Sequence, residues 1–543
     1  MRTVSPPPAF RRRFLTSIAA ALLAVGGLWP AAAAAADRAA SPDHSAADAS
    51  DTTDARDTAA AIASRIDAAV ESRWASDGIT PTEPASDSDF LRRASLDLTG
   101  RIPTVAEARD FLDDPTPSAE KRRQLVRRLF DDPTHLVHQT NVWRTILIPE
   151  AGTDLVARQF VPEFEDWLRR RLLAGQSYDE LVREVLCVPR LQMSVEAGPS
   201  QPRAFFEIRQ DQPDRVAAAT SRAFLGVRLE CAQCHDHPFD DWRQDQFWQL
   251  AAFFAPAERF DDDGNPIVEI AVPETDRTVQ AAFLDGGVPE VEFDARRPLA
   301  EWITDAENPY FAAAIANRMW AQFFGAGLVE PVDDFSPYNE PTHPALLDVL
   351  AEGVREAGFD LDVLAEAIVL SRPYGLSSRT ADDPNADPAD LARMAVRALT
   401  PEQLYDSLTQ ATGRLRPFDP AQAVNFNNDQ DRSRFLERFA RESMAARDQP
   451  SSILQALMMM NGEFIGDATR LEEGRTLTAL AEAPFLSDDD RIDVLYLAAY
   501  ARRPTQSEQD LAQAYLASSQ TPREGLADLF WALLNSSEFL FNH

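Results

Sequence analysis

From Ala59 to Phe541 the apolar residues of this chain recur at helical spacing with few breaks. Phe164, Trp167, Leu168 and Leu172 fall on one face of a helix ending near Leu173. The strongly apolar run Phe311 to Phe324 and the runs Ala300 to Thr304, Ala345 to Glu356 and Leu361 to Leu370 read the same way. Pro103-Thr104 opens a helix carrying Ala106, Phe111 and Leu112, and Leu125, Leu129 and Phe130 belong to the next. The clearest change of character is 261–294, where Gly264, Pro266, Pro273, Gly286, Gly287 and Pro289 punctuate short β-like runs such as Ile267 to Val272. Residues 379–389 and 413–434 read as irregular excursions. The expected fold is mainly α: two helical domains, 59–258 and 296–543, joined by a small β-rich connector at 259–295.

Ahead of the helices, residues 1–36 read as a signal peptide. Arg11, Arg12 and Arg13 form its basic region, Phe14 to Trp29 its apolar core, and Ala31 to Ala36 a small-residue cleavage site. Arg11-Arg12-Arg13-Phe14-Leu15 follows the twin-arginine pattern. The apolar run is shorter than the ~20 residues a membrane span needs. Export to the periplasm or the extracellular space is therefore expected, with no transmembrane segment left after signal removal. Residues 37–58, rich in Ala, Asp, Ser and Thr and without aromatics, read as a disordered linker. The chain carries 53 Lys and Arg against 87 Asp and Glu, a balance that argues against nucleic acid or anionic lipid as a partner.

Chemistry concentrates in Cys231-Ala232-Gln233-Cys234-His235, which continues as Asp236-His237-Pro238-Phe239-Asp240-Asp241-Trp242. C-x-x-C-H is the pattern of covalent haem attachment. Two thiols three residues apart can both reach the haem vinyl groups, and the adjacent imidazole can ligate iron. On this reading Cys231, Cys234 and His235 bind haem c, Phe247, Phe253 and Phe254 line its pocket, and the distal ligand is Met193, Met319, Met394 or His343. Twin-arginine export of a folded chain and the acidic Asp236, Asp240 and Asp241 count against it. The same loop suits zinc or iron, with His235, His237 and Asp240 joining the cysteines as ligands. An open metal position with an Asp base would serve a metal-dependent hydrolase. The third alternative is structural: Cys231 and Cys234 bridged or left as core thiols, with both imidazoles fixing the turn before Pro238. Asp214 is expected to cap the helix before the motif, whose Val216, Ala219, Ala223 and Val227 keep helical spacing. Asp241 is expected to cap the helix after it, which buries Phe247, Leu250, Ala251 and Phe254. A buried Arg318 needs a carboxylate, for which Asp333 or Asp334 is available. His343 reads as a helix start, Cys187 as a small hydrophobe and Met458-Met459-Met460 as core packing.

Several further strings resemble a family pairing. Phe90-Leu91-Arg92-Arg93, Asp97-Leu98-Thr99-Gly100-Arg101-Ile102-Pro103 and Phe224-Leu225-Gly226-Val227-Arg228 accompany the cysteine motif in the first half. Asn317-Arg318-Met319-Trp320, His343-Pro344, Asn461-x-Glu463-Phe464 and Glu538 to His543 mark the second. Together they resemble the domains of unknown function 1549, often labelled cytochrome-c-like, and 1553, paired in secreted planctomycete proteins. The resemblance implies export and no established reaction. One departure is Gly375-Leu376 after Tyr374, where the family tends to carry a polar Arg-Gln pair. The functional expectation is an exported haem- or metal-binding protein that serves electron transfer to an extracytoplasmic protein partner. Its alternatives are a non-redox scaffold of an extracytoplasmic degradative system and a metal-dependent hydrolase.

Overall fold

The structure is a computed structural model and describes residues 44–152, 154, 156–189, 200–260, 262, 264–379, 388–414, 431–436 and 475–543. The signal-peptide and twin-arginine readings lie outside these residues, as do Met193, Asn461, Glu463, Phe464 and the methionine triple at 458–460. Backbone helix α1 runs His44–Asp77 and so takes in positions 44–58, which composition assigns to a linker. Everything below concerns the compact unit Asp51–His543.

The unit is mainly α-helical, and its strands form only two-stranded pairs among the described residues. Helix α2 (Asp87–Thr99) is central. Ser86 caps it, its Oγ accepting from the Asp89 N–H at 3.1 Å. Helix α3 (Val105–Asp113) opens on a capping box in which Thr104 and Glu107 satisfy each other's backbone N–H groups. Helices α4 (Ser118–Phe130) and α5 (Pro133–Leu147) pack on α2, and α6 (Val161–Leu173) packs on α5. Helix α7 (Tyr178–Leu186) and the short α8 (Ala204–Glu207) lead to α9 (Pro213–Thr220). A π-helical turn, Ser221–Leu225, then ends on left-handed Gly226. Helix α10 (Gln244–Ala252) lies against α9.

The 261–294 stretch forms the expected hairpin. Strands β1 (Arg259–Phe260) and β2 (Pro266–Ile267) pair antiparallel, and so do β3 (Glu269–Ala271) and β4 (Thr278–Gln280), the second pair resting on α10. Helix α11 (Arg296–Ile303) follows, then α12 (Phe311–Phe324), which packs with α13 (Pro344–Glu356) and α14 (Leu361–Leu370). Strand β5 (Arg397–Ala398) pairs with β6 (Phe541–Asn542), bringing the last residues back to α2. Helix α15 (Pro401–Thr412) and the helices Asp488–Tyr500, Gln506–Ser518 and Pro522–Leu534 complete the C-terminal region. No described helix is long and apolar enough to cross a membrane.

Two apolar cores result, and neither stops at the hairpin. The larger runs from Ala59 through Phe164, Phe224 and Phe253 to Trp320, Leu364 and Met394. The smaller joins Leu96 and Ile102 of the first half to Leu404, Leu495 and Phe530 of the second. Between them lies a buried polar knot. The Asp97 carboxylate is almost fully buried; it accepts from Arg397 Nη2 at 2.8 and 2.9 Å, from the Tyr374 hydroxyl at 2.8 Å and from Asn542 Nδ2 at 2.9 Å. Arg92 donates to the carbonyls of Ala499, Glu538 and Phe539, and Arg93 to those of Tyr374 and Leu376. Burial pushes both guanidinium groups down to about 10, still charged at neutral pH. Leu376, at the departure from the family's Arg-Gln pair, thus serves the knot through its backbone.

Several expectations need correction. Arg318 is only partly buried, so the premise of a buried cation does not hold; it donates to the Arg222 carbonyl at 3.2 Å, while Asp333 pairs with Arg228 at 2.7 Å. Asp333 is a short step from Arg228 across the Gly226 turn, which sequence distance conceals. Gln212 and Arg243, not Asp214 and Asp241, occupy the capping positions of α9 and α10. Pro213 fixes the first turn of α9, so Asp214 falls inside the helix. Residues 431–434, the end of the expected excursion 413–434, are helical.

Candidate functional site

The motif sits where expected, between α9 and α10, on a 3-10 turn spanning Glu230–Gln233. Ala232 is fully buried and anchors the turn in the larger core. Gln233 ties it laterally: its Nε2 donates to Asp214 Oδ2 at 2.8 Å, and its carbonyl accepts from Trp248 Nε1 at 3.0 Å. Gln244 Nε2 donates to the Cys234 carbonyl at 2.9 Å, and the Gln244 N–H to Asp236 Oδ1 at 2.9 Å. The backbone is held on the protein side, and Cys231, Cys234 and His235 are exposed. Cys231 and Cys234 are both exposed and unbridged, which sets aside the local disulfide and the core-thiol alternatives in this structure. Cys187 is half-buried at the end of α7, and burial pushes its thiol up.

The histidines differ. His235 is exposed, and its Nδ1 lies 2.7 Å from the Asp236 carbonyl. A carbonyl only accepts, so Nδ1 carries the proton and Nε2 keeps the lone pair that a metal needs. His237 has the reverse arrangement: its Nδ1 accepts from the Phe239 N–H at 3.3 Å, leaving the proton on Nε2. One oxygen of Asp240 accepts from the Asp241 N–H at 2.7 Å. Among the described residues no three His, Cys, Asp or Glu side chains are placed to hold one ion, so the set His235, His237, Asp240 is adjacent in sequence without converging.

Cys231, Cys234 and His235 are accessible and His235 Nε2 is free to ligate, but these three do not converge on one ion either, so a bare ion would need their side chains to turn toward one another. The expected enclosure does not form around them. Phe247 and Phe253 are fully buried and Phe254 nearly so; Phe253 stacks on Phe283 at 5.4 Å and Phe254 meets Phe206 at 6.2 Å, inside the core. Met319, Met394 and His343 are core residues at 2, 1 and 6 % exposure. His343 immediately precedes α13, as its sequence context suggests, and burial lowers its pKa. The apolar groups that do flank the loop are Phe239, 82 % exposed, and Tyr338, 70 % exposed, whose hydroxyl donates to Asp241 at 3.2 Å.

The loop's supports, Asp214, Gln233, Gln244 and Trp248, escaped sequence reasoning. The available signal was Gln244 and Trp248 at i, i+4, one face of the helix that leaves the motif.

Residues 65–259 match the family described as PSCyt2, protein of unknown function (DUF1549), and residues 295–516 match PSD1, protein of unknown function (DUF1553). No curated protein and no solved structure matches the chain. The cysteine motif falls within the first match and Tyr374 and Arg397 within the second, so the chain belongs to the proteins that carry the PSCyt2 and PSD1 domains in tandem.

Proposed function

We propose that the Cys231–His235 turn is the attachment site for a metal-bearing group in an exported protein, haem iron foremost and bare zinc or iron otherwise. One observation carries the reading: Cys231, Cys234 and His235 are all exposed while the backbone between them is pinned from behind. Cys231 and Cys234 would hold the group through their sulfurs, and His235 Nε2 would ligate its metal. Iron held there supplies one-electron chemistry, which suits transfer to an extracytoplasmic partner. The Arg-rich leader motivates the placement outside the cytoplasm. A non-redox interaction role is the second reading, favoured by Phe239 and Tyr338 standing exposed beside the loop.

The test is a pyridine haemochrome spectrum and elemental analysis on protein purified from its native host. A c-type α-band, or one equivalent of zinc or iron, lost in the Cys231→Ser, Cys234→Ser double variant, supports attachment. Neither haem nor stoichiometric metal would overturn it and leave the interaction role.

A further inference from the structure

A cavity of about 250 Å³ opens beside α8, α9 and the end of α10, and none of the motif residues lines it. Phe206, Val216 and Phe254 make an apolar floor. Three charged residues stand round that floor: Arg203, Asp211 and Arg296. Arg296 is spent. It grips Asp294 through Nε and Nη2, donates to the Val188 carbonyl through Nη1 at 2.7 Å, and lies over the Phe206 ring at 5.6 Å. Arg203 is half spent: Nε donates to Glu207 at 3.1 Å and Nη1 to the Pro189 carbonyl, while Nη2 has no partner among the described residues.

Asp211 has an unusual backbone. Gln210 and Asp211 stand at φ 59° and 52°, two successive left-handed residues that are not glycine. Such residues cost of order 1 kcal/mol each and persist where surrounding structure holds them. Here the Gln210 N–H donates to the Glu207 carbonyl at 2.9 Å and the Asp211 N–H to that of Phe206 at 3.1 Å. The result is an exposed carboxylate at the cavity with no hydrogen bond or ion pair among the described residues.

An apolar floor thus lies between one unspent guanidinium edge and one unspent carboxylate. A simple anion would face Asp211, and a simple cation would face Arg203. We propose that this cavity binds a small zwitterion with an apolar body, such as an α-amino acid with an aliphatic or aromatic side chain. Its carboxylate meets Arg203 Nη2, its ammonium meets Asp211, and its side chain covers Phe206 and Phe254. This does not depend on what the cysteine turn binds.

The experiment is isothermal titration of the full chain with L-phenylalanine and L-leucine, set against phenethylamine and 3-phenylpropanoate, which each keep one charge. Each charge-assisted contact predicts about tenfold in affinity. The amino acids should therefore bind at least that much more tightly than either half-molecule. Asp211→Asn, a change the left-handed backbone tolerates, should weaken L-phenylalanine about tenfold and leave 3-phenylpropanoate no weaker. Arg203→Met should weaken L-phenylalanine and spare phenethylamine. Unchanged thermal melting of both variants separates lost contacts from lost folding. No binding up to millimolar concentration, equal affinity for the half-molecules, or an Asp211→Asn variant that binds as the parent does would each overturn the proposal.

Discussion

At the scale of single residues, Asp97 decides most. Its carboxylate is nearly buried on α2 and is held by partners from three distant parts of the sequence, Tyr374, Arg397 of β5 and Asn542 of β6. Burial pushes its pKa up and Arg397 opposes this. Removing one partner of a buried charged pair strands the other, so Asp97→Asn should cost about 3 kcal/mol or more. Tyr374→Phe removes one hydrogen bond and should cost about 1 to 2 kcal/mol. Urea midpoints at unchanged m-value measure both, and equal losses would show that the charge of Asp97 is immaterial. His138 gives the acid side. Burial, with His135 nearby, pulls it from 6.5 down to about 4. Well above pH 6.5 it is neutral in both folded and unfolded chains and contributes no slope. As pH falls below 6.5 the unfolded chain takes up a proton that the folded chain refuses. Stability should therefore drop by up to about 3 kcal/mol between pH 6.5 and 4, and level off below. His138→Gln should remove that part of the slope in denaturation series run at each pH; a variant with the parent's slope would assign it elsewhere.

At the scale of elements, the passage from α9 to the motif is the most constrained. The π-helical turn inserts one residue's worth of rotation before Gly226, whose φ of 65° no other residue type adopts freely. A Cβ at Gly226 would stand 2.8 Å from Phe335 Cδ2 and 3.1 Å from Ala314 Cβ. Gly226→Ala should therefore lose more than the ~1 kcal/mol expected of Gly78→Ala, where φ is 69° and no atom lies within 4 Å. Thermal melts of the two variants side by side make the comparison; equal losses would mean that Phe335 simply moves aside. The same turn shows what the sequence conceals. Helices α12 and α14 begin and end where their apolar runs do, because Gly and Asp signals bound long, strongly periodic segments. The steps around the motif are set instead by tertiary demands. Pro213 moves the cap of α9 off Asp214, freeing that carboxylate to hold Gln233, and the Gly226 turn delivers Arg228 to Asp333. Periodicity reports which face is buried, and says nothing of which polar group a loop will need. That is why the cysteine turn was legible as a place and its supports were not.

At the scale of the whole unit, the two family matches are separate in sequence, with residues 260–294 between them, and interleaved in space. The larger core uses residues on both sides of the hairpin, and the smaller places Leu96 and Ile102 of α2 among C-terminal helices. Arg92, Arg93 and Asp97 are buried charges whose named partners, apart from neighbouring acids, lie beyond residue 370. Residues 51–294 expressed alone would leave those charges in an apolar surface without their hydrogen bonds, and would expose the faces that α12 and the C-terminal helices cover. The expected outcome is a fragment without a cooperative transition, low in protection from limited proteolysis, whereas the full unit melts as one. Adding residues 295–543 in trans should restore protection at α2, because the missing partners are supplied by packing rather than by chain connectivity. A fragment that unfolds cooperatively on its own with native-like circular dichroism would show that the knot at Asp97 only joins two independent domains. It would then fall to the Asp97→Asn variant to lose association of the two halves while each stays folded.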